Sequence, residues 1–295
     1  MYRYQTFLLI ILIALSACGE SGTGEAGAEQ KDEGEQAAMN HPDNQAGLRL
    51  FSNGDFKGAA EAFEKAERSD PSNAEFPNNA GMCYLHEGET ARAEQKFLRA
   101  VALKPGEALY YYNLGLARMQ QQKIPAAVQD FEKAASLKEG YFDANAHLGT
   151  LYYGLKQPEK AEAAWRKALE TRYEPEIATR LGVLQMQSGN LEEAEKLFQE
   201  AVRKAPKFEL PHYNLGVLYQ GRKEYARAET HYRRAIEIQP RNYVPYYNLG
   251  LVQKAQGKNA VAAATFENFL SVVPPSMVQQ IRDARQQIQS LRGTP

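Results

Sequence analysis

The sequence predicts an all-α fold: a superhelical solenoid of seven helix-turn-helix units closed by one further helix. Three observations predict it. The tetrapeptide Tyr-Asn-Leu-Gly stands at Tyr112–Gly115, Tyr213–Gly216 and Tyr247–Gly250, the last two copies 34 residues apart and the first two 101. Small and aromatic residues follow each copy at helical spacing. Turn residues such as Ser52-Asn53-Gly54-Asp55 divide each period, so each period holds two helices.

The chain begins with a segment of another kind. After Arg3 comes the apolar run Phe7 to Leu15, too short to cross a hydrocarbon core of roughly 30 Å comfortably. A basic start, a short apolar middle and a small-residue finish read as a secretory signal over residues 1–17. Its end, Leu15-Ser16-Ala17-Cys18, resembles the lipobox of bacterial lipoproteins. That resemblance implies cleavage before Cys18, a diacylglycerol on its sulfur and acylation of the new amino group. Two or three acyl chains, at about 0.8 kcal/mol per buried methylene, anchor far better than one. Gly19 stands where an Asp would imply retention in the inner membrane. The expected location is therefore the bacterial cell envelope, lipid-anchored in the outer membrane and facing the periplasm. With Cys18 acylated, Cys83 is the remaining thiol, and it is expected to be a small buried helix residue.

Residues 18–41 carry six acidic residues and Lys31 among Gly, Ala, Ser and Gln. Such a composition cannot bury enough apolar surface to offset chain entropy. It predicts a flexible acidic tether of roughly 25–30 Å root-mean-square span.

The repeats occupy residues 42–276. Counted from a Gly, an Ala follows after twelve residues, a large aromatic after sixteen and a small residue after nineteen. Gly47 leads to Ala59, Phe63 and Ala66. The count restarts at Gly81, Gly115, Gly149, Gly182, Gly216 and Gly250, with Phe97, Phe131, Trp165, Phe198, Tyr232 and Phe266 as the aromatics; the last unit has Phe269 in place of the small residue. Five units place a Pro twenty-four residues after the Gly, at Pro71, Pro105, Pro206, Pro240 and Pro274, where it stops the second helix. Gly149 and Gly182 are only 33 apart, and this one missing residue explains 101 against three periods of 34. Spacings of four and three put Ala59, Phe63 and Ala66 on one helical face. Small residues let the paired helices approach, and the aromatic fills the space between them. Beyond the repeats, over residues 277–292, Ser276 is expected to cap a last helix with Val278, Ile281, Ile288 and Leu291 on its packed side, ending at Gly293.

The period and its Gly, Ala, aromatic, Ala and Pro positions resemble the tetratricopeptide repeat. The resemblance implies a right-handed superhelix whose inner wall comes from the first helix of each unit. Three residues after the Gly the family prefers Tyr, present as Tyr84, Tyr152 and Tyr219; Leu50, Arg118, Gln185 and Gln253 depart from it, and uniform packing is not expected there.

No reaction centre is legible. None of the five His shares a metal-binding spacing with a Cys or carboxylate, and there is no Gly-rich phosphate loop or Gly-x-Ser-x-Gly elbow. Lys and Arg number 35 against 36 Asp and Glu, so no strong field favours nucleic acid. Signal, tether, repeats and last helix fill the 295 residues. The expectation is a protein that is not an enzyme and takes no cofactor, metal or small-molecule substrate.

What remains is the inner wall. By the resemblance, the residues two before each Gly point inward: Asn79, Asn113, His147, Arg180, Asn214 and Asn248. Beside them stand Tyr112, Tyr213 and Tyr247, with Met82, Leu116, Val183, Val217 and Leu251 one step past the Gly. Side-chain amides can satisfy the backbone of a bound strand, and Tyr offers broad contact at little rotamer cost. Family members that grip acidic C-terminal tails use Lys or Arg beside such Asn; Asn78, Tyr112, Ala146 and Thr179 stand there instead, so no carboxylate clamp is expected. The implied role is a membrane-anchored scaffold or adaptor holding an extended peptide or helix of another envelope protein. The settings implied are pilus or secretin assembly, polysaccharide export, or cell-wall enzyme complexes. The alternatives are a self-associating assembly protein and the targeting subunit of a separately encoded enzyme.

Overall fold

The structure, a computed structural model, describes residues 40–293; the signal, Cys18 and the acidic segment up to residue 39 lie outside them. The described residues form fifteen α-helices and no strand. Seven antiparallel pairs follow in chain order. They are α1 (Pro42–Ser52) with α2 (Phe56–Ser69), α3 (Glu75–His86) with α4 (Thr90–Leu103), and α5 (Ala108–Gln120) with α6 (Ile124–Leu137). Then come α7 (Phe142–Gly154) with α8 (Pro158–Thr171), α9 (Pro175–Gln187) with α10 (Leu191–Lys204), and α11 (Glu209–Gly221) with α12 (Tyr225–Ile238). The last pair is α13 (Val244–Ala255) with α14 (Asn259–Val272), and α15 (Val278–Arg292) covers its end. Every helix packs on its successor, and first helices also touch across units, as α3 does α5 and α11 does α13. This is an all-α repeat solenoid, held together by neighbour contacts alone.

The pairing rests on a bare helix backbone meeting a ring. A Cβ added to Gly149 would lie 2.3 Å from Cδ1 of Trp165, and one on Gly115 2.8 Å from Cε1 of Phe131. The same clash recurs at Gly47, Gly81, Gly182, Gly216 and Gly250, each against the aromatic sixteen residues on. All seven rings are fully buried, each flanked by Ala with no exposed surface, such as Ala127 and Ala134 around Phe131. Burying a side chain of that size contributes about 1.5–3 kcal/mol. Cys83 is also fully buried, and burial pushes its thiol up to about 12.

Inside each unit the chain reverses through one turn. The residue seven past the Gly takes positive φ: Gly54 (80°), Gly88 (76°), Gly189 (84°) and Gly257 (74°), but also Gln122 (60°), Lys156 (59°) and Lys223 (61°). The next N–H then donates back to the carbonyl five residues earlier, as Glu89 does to Tyr84 (2.8 Å) and Lys123 to Arg118 (2.9 Å). This left-handed closure satisfies carbonyls that a helix end leaves open.

Two expectations are corrected at the last helix. Met277, not Ser276, is its N-cap, and no side chain caps it; Ser276 lies in a turn closed by Met277 N–H on Pro274 O (3.0 Å). Val278 is 60% exposed. The packed stripe is Met277, Ile281, Ala284, Ile288 and Leu291 against Phe266, Phe269 and Val273. Its spacing of four, three, four and three begins one residue before Val278, which turns that side chain to water. Gly293 ends the helix with φ 65°.

Packing does not loosen where Tyr is missing three residues after the Gly. Tyr84 donates to Glu64 (2.7 Å) and Tyr219 to Glu195 (2.6 Å), each tying a first helix to the preceding second helix. Arg118 reaches Glu94 (2.9 Å) and Gln253 reaches Glu229 (3.3 Å) across the same junction. Gln185 is buried and accepts from Asn190 Nδ2 (2.7 Å), and Leu50 packs on the first core cluster. Arg118 and Gln253 thus replace the tyrosine's tie across the junction, while Gln185 bonds within its own unit.

Gly149→Ala is expected to cost about 1–3 kcal/mol by forcing Trp165 aside. Lys156→Gly is expected to raise stability by about 0.5–1 kcal/mol, since a side chain at positive φ costs more than glycine's lost freedom. Urea midpoints at unchanged slope check both.

Candidate functional site

The inner-wall residues sit in the middle of the first helices, two and three residues before the buried Gly. Most of their polar groups are already engaged with the preceding unit. Asn79 Nδ2 donates to Asn44 Oδ1 (3.3 Å), Asn113 Nδ2 to Asn78 Oδ1 (2.8 Å) and Asn248 Nδ2 to the Tyr213 hydroxyl (3.2 Å). His147 meets the ring of Tyr112 at 5.8 Å. Each pair is separated by 35 residues, so position two before one Gly answers position three before the last. Asn113 is buried outright.

The ladder stops at α9. Arg180 pairs with Glu176 on its own helix (2.6 Å); the position it would answer, three before Gly149, is Ala146, which has no polar side chain. Thr179 Oγ1 donates to its own Pro175 O (2.7 Å), and Asn214 Nδ2 to its own Leu210 O (3.0 Å). Leu210, one turn before Asn214, is 44% exposed, and Val244 at the same place in α13 is exposed too. The wall at α9 and α11 thus carries a cation, a side-chain amide and an open aliphatic side chain that no cross-unit bond holds.

The three predicted tyrosines are half-buried and serve the helix pair as much as the wall. Tyr112 packs on Phe131 (5.6 Å), Tyr213 on Tyr232 (5.9 Å) and Tyr247 on Phe266 (5.5 Å). His147 stacks on Phe131 at 5.1 Å. Burial holds its imidazole below the ordinary range, and Arg180 adds to this while Asp143 opposes it. Cys18, the expected lipidation site, lies outside the described residues.

On the other side of each junction runs a carboxylate relay that sequence reasoning missed. Glu94 accepts from Arg118, Lys123 (2.7 Å) and Gln121 (3.0 Å). Glu229 accepts from Arg233 (2.8 Å), Lys258 (2.7 Å) and Gln253. Burial alone would raise both carboxyls, but the hydrogen bonds from these cations and amides bring each down to about 2. Asp130 differs: burial lifts it to about 6 although Arg118 grips it at 2.9 Å. The available signal was a Glu thirteen residues past Gly81, Gly182 and Gly216 with a cation or amide after it.

Among the described residues no three His, Cys, Asp or Glu stand together to hold a metal. No helix there is long and apolar enough to cross a membrane.

Tetratricopeptide repeat models match residues 44–108, 112–164, 146–207, 211–242 and 246–276. The chain belongs to the tetratricopeptide repeat family, a class of protein-interaction scaffolds. No curated protein matches it. It is similar to the crystal structure of MamA, at 29% identity over 55% of this chain and 95% of that one, with a TM-score of 0.52. It is similar as well to YrrB, described as a tetratricopeptide repeat protein with an unusual peptide-binding site, at 27% identity over 63% and 96%, with a TM-score of 0.57. The C-terminal part of a repeat protein from Cytophaga hutchinsonii shares the fold, at 15% identity over 83% and 98%, with a TM-score of 0.69.

The relay sets the acid response. Glu94 and Glu229 have folded values below the ordinary 4.5, so their contribution is present above that value and lost as pH falls through about 2. Replacing both by Gln is expected to lower the melting temperature at neutral pH, with the gap to the parent closing below about pH 3. Thermal unfolding across pH checks this.

Proposed function

We propose that this chain is a lipid-anchored scaffold of the bacterial envelope that grips an extended segment of a partner protein on its inner wall. The grip centres on α9 and α11. The observation that carries the reading is the interrupted ladder: Arg180 and Asn214 are tied only within their own helices, beside exposed Leu210. An extended strand brings N–H and C=O groups that an amide and a guanidinium satisfy together. An aliphatic side chain of the partner would lie on Leu210 and Val217. The peptide-binding site that names YrrB supports the choice of a peptide over other ligands. The Leu-Ser-Ala-Cys sequence supports the anchor.

Partners are to be captured from envelope extract with the full chain, identified by mass spectrometry and measured by titration. Asn214→Ala with Leu210→Ser is expected to weaken binding about 10–100-fold while helicity is retained. Asn79→Ala is expected to leave affinity within about threefold, because its amide bonds inside the scaffold. Equal losses at both places would refute this location. For the anchor, Cys18→Ser is expected to move the protein from the membrane fraction to the soluble fraction of cells; an unchanged distribution would refute that half.

A further inference from the structure

We propose that the second helices of the first four units form a cationic edge that seats the body on an anionic lipid surface. The proposal rests on the lipid-anchored reading above and adds which side of the solenoid meets the membrane.

The residue eighteen past the Gly is Lys65, Arg99, Lys133 and Lys167 in units one to four. All four are exposed, on α2, α4, α6 and α8. Identical repeat positions put them in one row across successive second helices. None has an acidic partner among the described residues: Arg99 donates to Pro71 O (3.0 Å), and Lys133 lies over the Tyr111 ring at 6.0 Å.

Most carboxylates within one turn of the row are already engaged. Lys96 takes Glu64 (3.1 Å), Arg118 takes Asp130 (2.9 Å), and Glu132 accepts from Tyr152. Glu61, Glu132, whose tyrosine partner leaves its charge in place, and Glu170 remain, against the four cations and the exposed Arg68. In the later units the row breaks. Glu200 replaces the cation in the fifth, Arg234 is bound to Glu237 (2.9 Å) in the sixth, and Asn268 stands in the seventh. The unneutralised charge therefore belongs to the N-terminal half.

The chain enters the solenoid beside this row. His41 Nε2 meets Ser69 Oγ at 2.7 Å, and its ring packs on Phe76 at 5.2 Å. Ser69 is one turn past Lys65 on α2. A chain anchored upstream of His41 thus brings this edge, ahead of the capped end, closest to the bilayer. A cation near an anionic leaflet gains attraction that decays within a Debye length of about 8–10 Å. A row of four suits a flat charged surface better than a pocketed ligand, since none of the four is buried or aimed at another.

The test is amine labelling of the full chain on vesicles, read by mass spectrometry. One set is phosphatidylcholine alone and the other phosphatidylcholine with phosphatidylglycerol. Labelling of Lys65, Lys133 and Lys167 is expected to fall about fivefold on the anionic set only. Lys156 and Lys223, in the turns between paired helices, are expected to label equally on both. High salt is expected to restore the three, as screening requires. Arg99→Glu, which leaves the three lysines in place to report, is expected to shrink the difference. Equal labelling of the three lysines on both sets overturns the proposal, as does protection that arises only when an acidic envelope protein is added. Failure of the anchor is read separately, from Cys18→Ser fractionation.

Discussion

Seven contacts between a side-chain-free helix backbone and the edge of an aromatic ring carry this fold. At each, a Cβ would stand within 3 Å of the ring, so the closeness of the two helices is set by glycine and its depth by the ring. The ring itself varies. Tyr232 fits in place of Phe because its hydroxyl finds Gln220 Oε1 (2.7 Å). Trp165 fits by volume, but its Nε1 has no protein partner. A buried donor left open costs about 1–3 kcal/mol unless water reaches it, and this one lies in the fourth unit. That unit also precedes the missing residue.

Once the pairs are fixed, the stack is held by two sets of ties. The outer set crosses from a second helix to the next first helix through Glu64, Glu94, Glu132, Glu195 and Glu229, with Glu195 receiving Tyr219 (2.6 Å); from α8 the tie runs instead through Arg166 to Glu193 on α10. The inner set of amides does not continue. Because stability in a repeat array sums over neighbours, losing one inner bond costs on the order of 1 kcal/mol and leaves the junction closed by its core, which at α8 and α9 is Trp165 with Ile177, Leu181 and Leu184. The wall can therefore give up bonds at one place without opening the rod.

Much of this was legible, and the part that was not shares a cause. Gly115 and Phe131 could be read as partners because sixteen residues and two helices fix their meeting whatever the side chains do. The reversing turn was legible where it is Gly54 or Gly189 and hidden where it is Lys156, since nothing in a lysine announces positive φ. Ser276 looked like a cap because its type is right for one, but the Pro274-Pro275 pair holds the turn open one residue longer and shifts the packed stripe to Met277. Asn113 was expected on the wall, and it is buried. That it is spent on Asn78 was not legible, because a bond spanning 35 residues depends on the register between units and the direction each amide takes.

That last point changes how such a wall selects its ligand. A strand that competes for the amide N–H by which Asn79, Asn113 or Asn248 ties two units displaces a bond the scaffold already makes, so that exchange returns little net free energy. At Asn214 the amide nitrogen is held by its own helix while Oδ1 has no bond among the described residues. An incoming backbone N–H there is a gain without a displacement. Arg180 gives up at most a half-exposed pair with Glu176, and exposed ion pairs of that kind hold within about 1 kcal/mol. A repeated amide motif thus need not mean a repeated binding site. With the helices in register throughout, the ladder is interrupted by side-chain identity: Ala146 offers Arg180 no polar partner, and Thr179 donates to its own helix instead of meeting Asn214.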